Sequence, residues 1–155
     1  MKRTCIFLAS SILLAGATAS ALANGASGPA PSARGALFHT VELRKTKLGK
    51  VLVNPAGSIL YEFTSDHPKK DTCVKVSGCS EVWPAFPAQG KPSAGPGVHA
   101  SLLSTISLSG GESQVTYAGH PLYIYADAPT STSYVGAKQF GGTWYALNAK
   151  GQAVK

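Results

Sequence analysis

The sequence predicts an all-β or β-dominated fold: a single small domain of two pseudo-repeats built from hairpins, with one short-loop disulfide. Three observations predict it. Apolar residues recur at period two, as in Ile59, Tyr61 and Phe63, the spacing that places side chains on one face of a strand. No stretch carries a long helical stripe. The chain also repeats itself at an offset of about 62 residues, which points to two copies of one unit, each too small to bury its own apolar face.

The 155 residues begin with a targeting pattern. Lys2 and Arg3 form a basic start, Ile6 to Ala19 is mostly apolar, and Ala21-Leu22-Ala23 is a small-x-small cleavage site, the arrangement of a secretory signal peptide. The apolar run is too short, and too rich in Ser, Gly and Ala, for a membrane span. Residues 1–23 are therefore expected to be removed, leaving a soluble periplasmic or secreted protein with no span after cleavage. Residues 24–36 are small, polar and proline-rich, and cannot bury enough apolar surface to offset their ordering entropy. They read as a flexible leader, followed by a folded domain over 37–155.

Within that domain Val51 and Val53 share one strand face, with Lys50, Leu52 and Asn54 on the other. Ile59, Tyr61 and Phe63 alternate with Leu60 and Glu62. Between the two runs, Asn54-Pro55-Ala56-Gly57 carries proline and glycine where a β-turn favours them, so the pair reads as a hairpin. Gln114 to Tyr117, Leu122 to Tyr125 and Thr143 to Leu147 are rich in aromatic and β-branched residues and read as further strands. Short helical turns are expected only at Ser101–Ile106 and around Ser80–Trp83.

Cleavage after Ala23 also removes Lys2 and Arg3 from fourteen basic residues, leaving twelve against seven acidic and a net charge of +5. Arg44, Lys45, Lys47 and Lys50 cluster, as do Lys69 and Lys70. The plain reading is a solvated basic surface; the sharper one is attraction to an anionic cell-envelope component. No nucleic-acid recognition motif appears. Cleavage takes Cys5 as well, so Cys73 and Cys79 remain, an even number in an oxidising compartment. A structural disulfide is expected. The spacing is not Cys-x-x-Cys, which argues against a redox dithiol.

The repeat is specific. An offset of 62 residues places Val53 on Val115, Gly57 on Gly119, Leu60 on Leu122, Tyr61 on Tyr123 and Phe63 on Tyr125. One deletion then places Asp66 on Asp127 and Trp83 on Trp144. Repeat one spans about 47–87 and repeat two about 110–152. The shared signature is Gly-x-x-Leu-Tyr-x-aromatic, then Asp, with tryptophan downstream; the first copy adds Cys73, Cys79 and Trp83-Pro84. This closely resembles the bacterial secreted repeat family, predicted lipoproteins with a Tyr-x-aromatic-x-x-Asp motif. The resemblance covers nearly all of the folded part and implies no known activity. Two departures stand out. In the second copy Asp127 sits one residue closer to its aromatic pair than the family spacing. Ala17 follows Leu14-Ala15-Gly16 where a lipobox would place cysteine, so no lipid attachment is expected.

The candidate residues each have two readings. Tyr61, Phe63, Tyr123 and Tyr125 are core positions or a ligand-stacking platform, and Trp83 and Trp144 complete the motif. Asp66 and Asp127 follow strand ends, where a carboxylate caps a loop or ligates. His67 lies beside Asp66 and His120 near Asp127; were the repeats to pack about a pseudo-two-fold axis, these four side chains would offer a zinc or copper(II) ligand set. His39 and His99 form no metal-ligand spacing. The only methionine is Met1 and no Cys-x-x-Cys-His is present, which argues against type-1 copper and covalent haem. No Gly-x-Ser-x-Gly, His-Glu-x-x-His or phosphate-binding glycine loop occurs. The pattern favours a non-catalytic secreted binding or envelope-associated module over its alternative, a metal-linked or redox accessory protein of the periplasm. An enzyme with an unrecognised site is the third reading.

Overall fold

The computed structural model describes residues 40–127 and 133–155. The signal peptide and the 24–36 leader lie outside the described residues, so they stand as sequence expectations. Strands dominate. They are β1 (Thr40–Thr46), β2 (Gly49–Val53), β3 (Tyr61–Phe63), β4 (Ser93–Ala94), β5 (Leu103–Ser107), β6 (Ser113–Tyr117), β7 (His120–Pro121), β8 (Ala137–Gln139), β9 (Gly142–Leu147) and β10 (Ala153–Val154). Single helical turns occur at Cys73–Lys75, Cys79–Val82 and Ala100–Leu102. Among the described residues no helix is long and apolar enough to cross a membrane.

Three sheets form: β2-β1-β4, then β10-β9-β3 with β8 also on β9, and β5-β6-β7. The β1–β2 and β5–β6 pairs are antiparallel hairpins, while β4 joins β1 in parallel. At the β6–β7 turn Tyr117 faces His120. Its two linking residues, Ala118 and Gly119, both take positive φ, 50° and 87°, the backbone that a two-residue type I′ turn requires. The bridges Tyr61–Tyr123, Ala85–Tyr123 and Pro87–Gln114 tie the sheets together.

Period-two alternation explains where the core sits. Val51 and Val53 enter one apolar cluster while Leu52 enters another. Ile59, Tyr61 and Phe63 join the first cluster, and Leu60 the second. Tyr123 lies in the first and Leu122 in the second. These strands are buried on both faces, so their runs read as nearly continuous apolar sequence. Each cluster draws residues from both halves of the chain.

The turn at Asn54–Gly57 forms as expected: the Gly57 N–H donates to the Asn54 carbonyl at 2.9 Å, and the Ser58 N–H to the Asn54 side chain at 2.9 Å. The hairpin across it is brief: the Asn54 N–H donates to Ser58, Val53 and Ile59 form a bridge, and the Leu60 N–H donates to Leu52. β3 finds its main partner in β9 instead. Leu122–Tyr125 is not a regular strand but a bridged extended segment. Ser101–Ile106 holds a helical turn only at its start and continues as β5. The turn around Ser80–Trp83 is present as Cys79–Val82.

Candidate functional site

The motif residues converge on one aromatic cluster. Tyr61 and Tyr123 bond to each other reciprocally through their backbones, each N–H donating to the other's carbonyl at 3.0 Å. Tyr61 also faces Ala146, and Tyr123 faces Ala85. This brings the two tryptophans face to face, with Trp83 and Trp144 stacked at 4.0 Å between ring centroids and 2° between planes. Tyr61 meets Trp83 edge-on at 5.1 Å, and Tyr123 meets Trp144 edge-on at 5.1 Å. Phe63 stacks on Trp144 at 4.2 Å. Tyr125 stands edge-on to Trp83 at 4.9 Å and stacks on Tyr134 at 3.9 Å. The edge-on pairs are a favoured geometry, in which the positive edge of one ring meets the negative face of another. Tyr61, Phe63, Trp83, Tyr123 and Trp144 are all buried.

The disulfide packs against this cluster. Cys73 and Cys79 are bonded, with 5.4 Å between their α-carbons, and both side chains belong to the Trp83 cluster. Gly78, immediately before Cys79, takes a left-handed φ of 74°, a conformation that glycine adopts without steric cost. The Trp83 indole N–H donates to the Gln139 side chain at 2.8 Å.

Asp66 is a half-buried acceptor with both oxygens engaged. Oδ1 takes the Thr72 N–H and the Thr72 hydroxyl, each at 2.7 Å, and Oδ2 takes the Tyr123 hydroxyl at 2.7 Å. Burial raises its pKa above the ordinary carboxylate value, opposed by the Tyr123 and Thr72 hydrogen bonds. Burial also raises the Tyr123 phenol, and the Asp66 carboxylate adds to the rise. Tyr61 has a different partner: its hydroxyl accepts the Tyr134 N–H at 3.0 Å, and burial raises its pKa as well. Asp127 is exposed.

Of the four residues considered as a metal set, three meet. Asp66, His67 and His120 line a small cavity of about 80 Å³, together with Pro68, Ala118, Gly119 and Pro121. Asp127 does not line it. His120 Nδ1 pairs with Glu62 Oε2 at 2.6 Å, and that hydrogen bond raises the imidazole pKa. Among the described residues no three His, Cys, Asp or Glu side chains are grouped to hold a metal ion. Glu62, Thr72, Tyr134 and Gln139 escaped the sequence reading. Glu62 alternates with aromatic residues, which places it on the opposite strand face, and only 8% of it is exposed.

Residues 104–148 match the family model of a secreted repeat of unknown function. The match agrees with the resemblance read from the sequence. The matched segment holds Tyr123, Tyr125, Asp127 and Trp144, four of the eight motif residues; Tyr61, Phe63, Asp66 and Trp83 lie before it. No curated protein and no solved structure matches the chain.

Proposed function

We propose that this protein is a non-catalytic secreted module of the cell envelope, whose motif residues build the fold and whose basic β1–β2 hairpin docks on anionic envelope headgroups. The carrying observation is the hairpin tip. Lys45 and Lys50 stand directly opposite one another across β1 and β2, and Lys47 lies in the intervening turn; all three are exposed. Like charges placed opposite on a strand pair oppose folding, so their clustering suits an anionic partner better than stability. Arg44 is not part of this set, because Glu42 holds it at 2.8 Å. Leu48, at the turn, packs back on the core, which anchors the turn from which the three lysines project.

The same reading treats the two motif stretches as copies of one unit that exchange partners. In support, the first stretch's Tyr61 pairs with Ala146 of the second, and Tyr123 pairs with Ala85 of the first. The Thr64 N–H donates to Thr143, as the Ala126 N–H does to Val82. At the acids the likeness ends: Asp66 reaches Tyr123, whereas Tyr61 bonds Tyr134, in keeping with the one-residue shortening before Asp127.

Docking is tested by cosedimentation with phosphatidylglycerol vesicles against phosphatidylcholine vesicles. Near an anionic membrane each lysine contributes roughly 1 kcal/mol at low salt, so Lys45→Gln/Lys47→Gln/Lys50→Gln should weaken binding by about two orders of magnitude. Binding should also fall steeply as salt rises. Equal binding to neutral vesicles, or an unchanged triple variant, would refute the reading.

A further inference from the structure

We propose that Tyr123 is a redox-active tyrosine: a one-electron oxidant removes its electron through the tryptophan stack while its phenolic proton passes to Asp66. Three features of the site point there together. The phenol is fully buried and its hydroxyl donates to Asp66 Oδ2 at 2.7 Å. The acceptor is held in place, since Thr72 supplies two hydrogen bonds to the other carboxylate oxygen. The ring is in edge contact with Trp144, which stacks on Trp83, which in turn meets Tyr125. Tyr125 and its stacked neighbour Tyr134 are partly exposed. An unbroken file of aromatic rings therefore runs from the buried phenol to the surface.

The chemistry of phenol oxidation explains why this geometry matters. Loss of an electron alone leaves a phenol radical cation, a very strong acid. Oxidation becomes accessible only when a base stands ready on the hydroxyl. Among the aromatic side chains of the described residues, Trp83 donates to a neutral Gln139 amide and only Tyr123 donates to a carboxylate, so the oxidising equivalent settles there. Burial makes the Asp66 carboxylate a stronger proton acceptor than a solvated aspartate. The step balances: Tyr123–OH and the Asp66 carboxylate become the neutral Tyr123 phenoxyl radical and the Asp66 carboxylic acid, and the oxidant is reduced by one electron. The oxidant is a high-potential one-electron acceptor at the protein surface, such as an oxidised metal complex. A one-electron reductant reverses the step, returning the proton from Asp66 to the phenolate oxygen. Burial shields the radical from coupling with a second radical, which makes Tyr123 a place to hold an oxidising equivalent. The same ring file would be reached by any oxidant docking near Tyr125 and Tyr134.

The test uses full-length mature protein and photogenerated tris(bipyridine)ruthenium(III) as oxidant. Transient absorption and electron paramagnetic resonance should show one long-lived neutral phenoxyl radical. Tyr123→Phe and Asp66→Asn should each lose that long-lived signal, with near-ultraviolet circular dichroism checking that the fold persists. Should either variant fail to fold, wild-type protein still decides the matter. Electron–nuclear double resonance after exchange into heavy water should reveal an exchangeable deuteron hydrogen-bonded to the radical oxygen and held by Asp66. A long-lived radical that survives in folded Tyr123→Phe, the absence of any long-lived radical, or a radical with no exchangeable coupling would each overturn the proposal.

Discussion

Individual side chains in this protein do structural work that their residue type alone would not announce. Asp66 serves as a three-bond acceptor that ties the loop at Thr72 to the Tyr123 hydroxyl. Asp66→Asn keeps the volume but gives up one carboxylate oxygen. It should lower stability by about 1–3 kcal/mol, the usual penalty for stranding a buried polar partner, as a shift in denaturant midpoint at unchanged slope. His120 gives a pH signature. Its pKa is raised above 6.5 by the bond to Glu62, so protonation is favoured in the fold. The stabilisation is complete below pH 6.5 and is lost as pH climbs through the raised value. Wild-type melting temperature should therefore decline across that window, and His120→Gln should flatten the decline. The aromatic members of this site were legible, because period two marks Tyr61, Phe63 and Tyr123 as sharing an inward face. Glu62 was not, since periodicity assigns a residue to a face without saying whether another layer covers that face.

Short elements hold the aromatic cluster in register. The Cys73–Cys79 link closes a loop too small to restrain much of the unfolded chain, so Cys73→Ser should cost on the order of 2 kcal/mol with the fold surviving. Thiol labelling of denatured, unreduced mature protein, from which Cys5 is cleaved, should find no free thiol. Gly142 is more demanding. A β-carbon there would run into the Phe63 ring and the Ser65 hydroxyl, both on the neighbouring segment, so Gly142→Ala should destabilise by about 1–3 kcal/mol through overpacking. The Asn54–Gly57 turn was readable because proline and glycine punctuate it. β1 was not: its Thr-Val-Glu-Leu-Arg-Lys-Thr sequence leaves only Val41 fully buried, so its apolar signal is faint and tertiary pairing with β2 decides its conformation. Leu122–Tyr125 shows the opposite case, a strong strand signal in a segment held by isolated bridges at Tyr123.

At the scale of the molecule, the two halves complete each other. β3 lies on β9, Tyr61 on Tyr123 and Trp83 on Trp144, so apolar faces within residues 40–95 are covered by residues that follow them. The sequence offset between Tyr61 and Tyr123 leads us to expect two stretches sharing a core, but no sequence rule says which strand of one stretch pairs with which strand of the other. That exchange is a matter of long-range register, set by how the tryptophans stack. A two-stranded hairpin is marginal in water without such cover, and a chain of this size has little core to spare. The most direct measurement is near-ultraviolet circular dichroism of a fragment covering residues 37–95 during thermal melting. Interlocked halves require a fragment with little fixed aromatic signal and no cooperative transition. A fragment that keeps a native-like aromatic spectrum and melts cooperatively on its own would contradict the shared core.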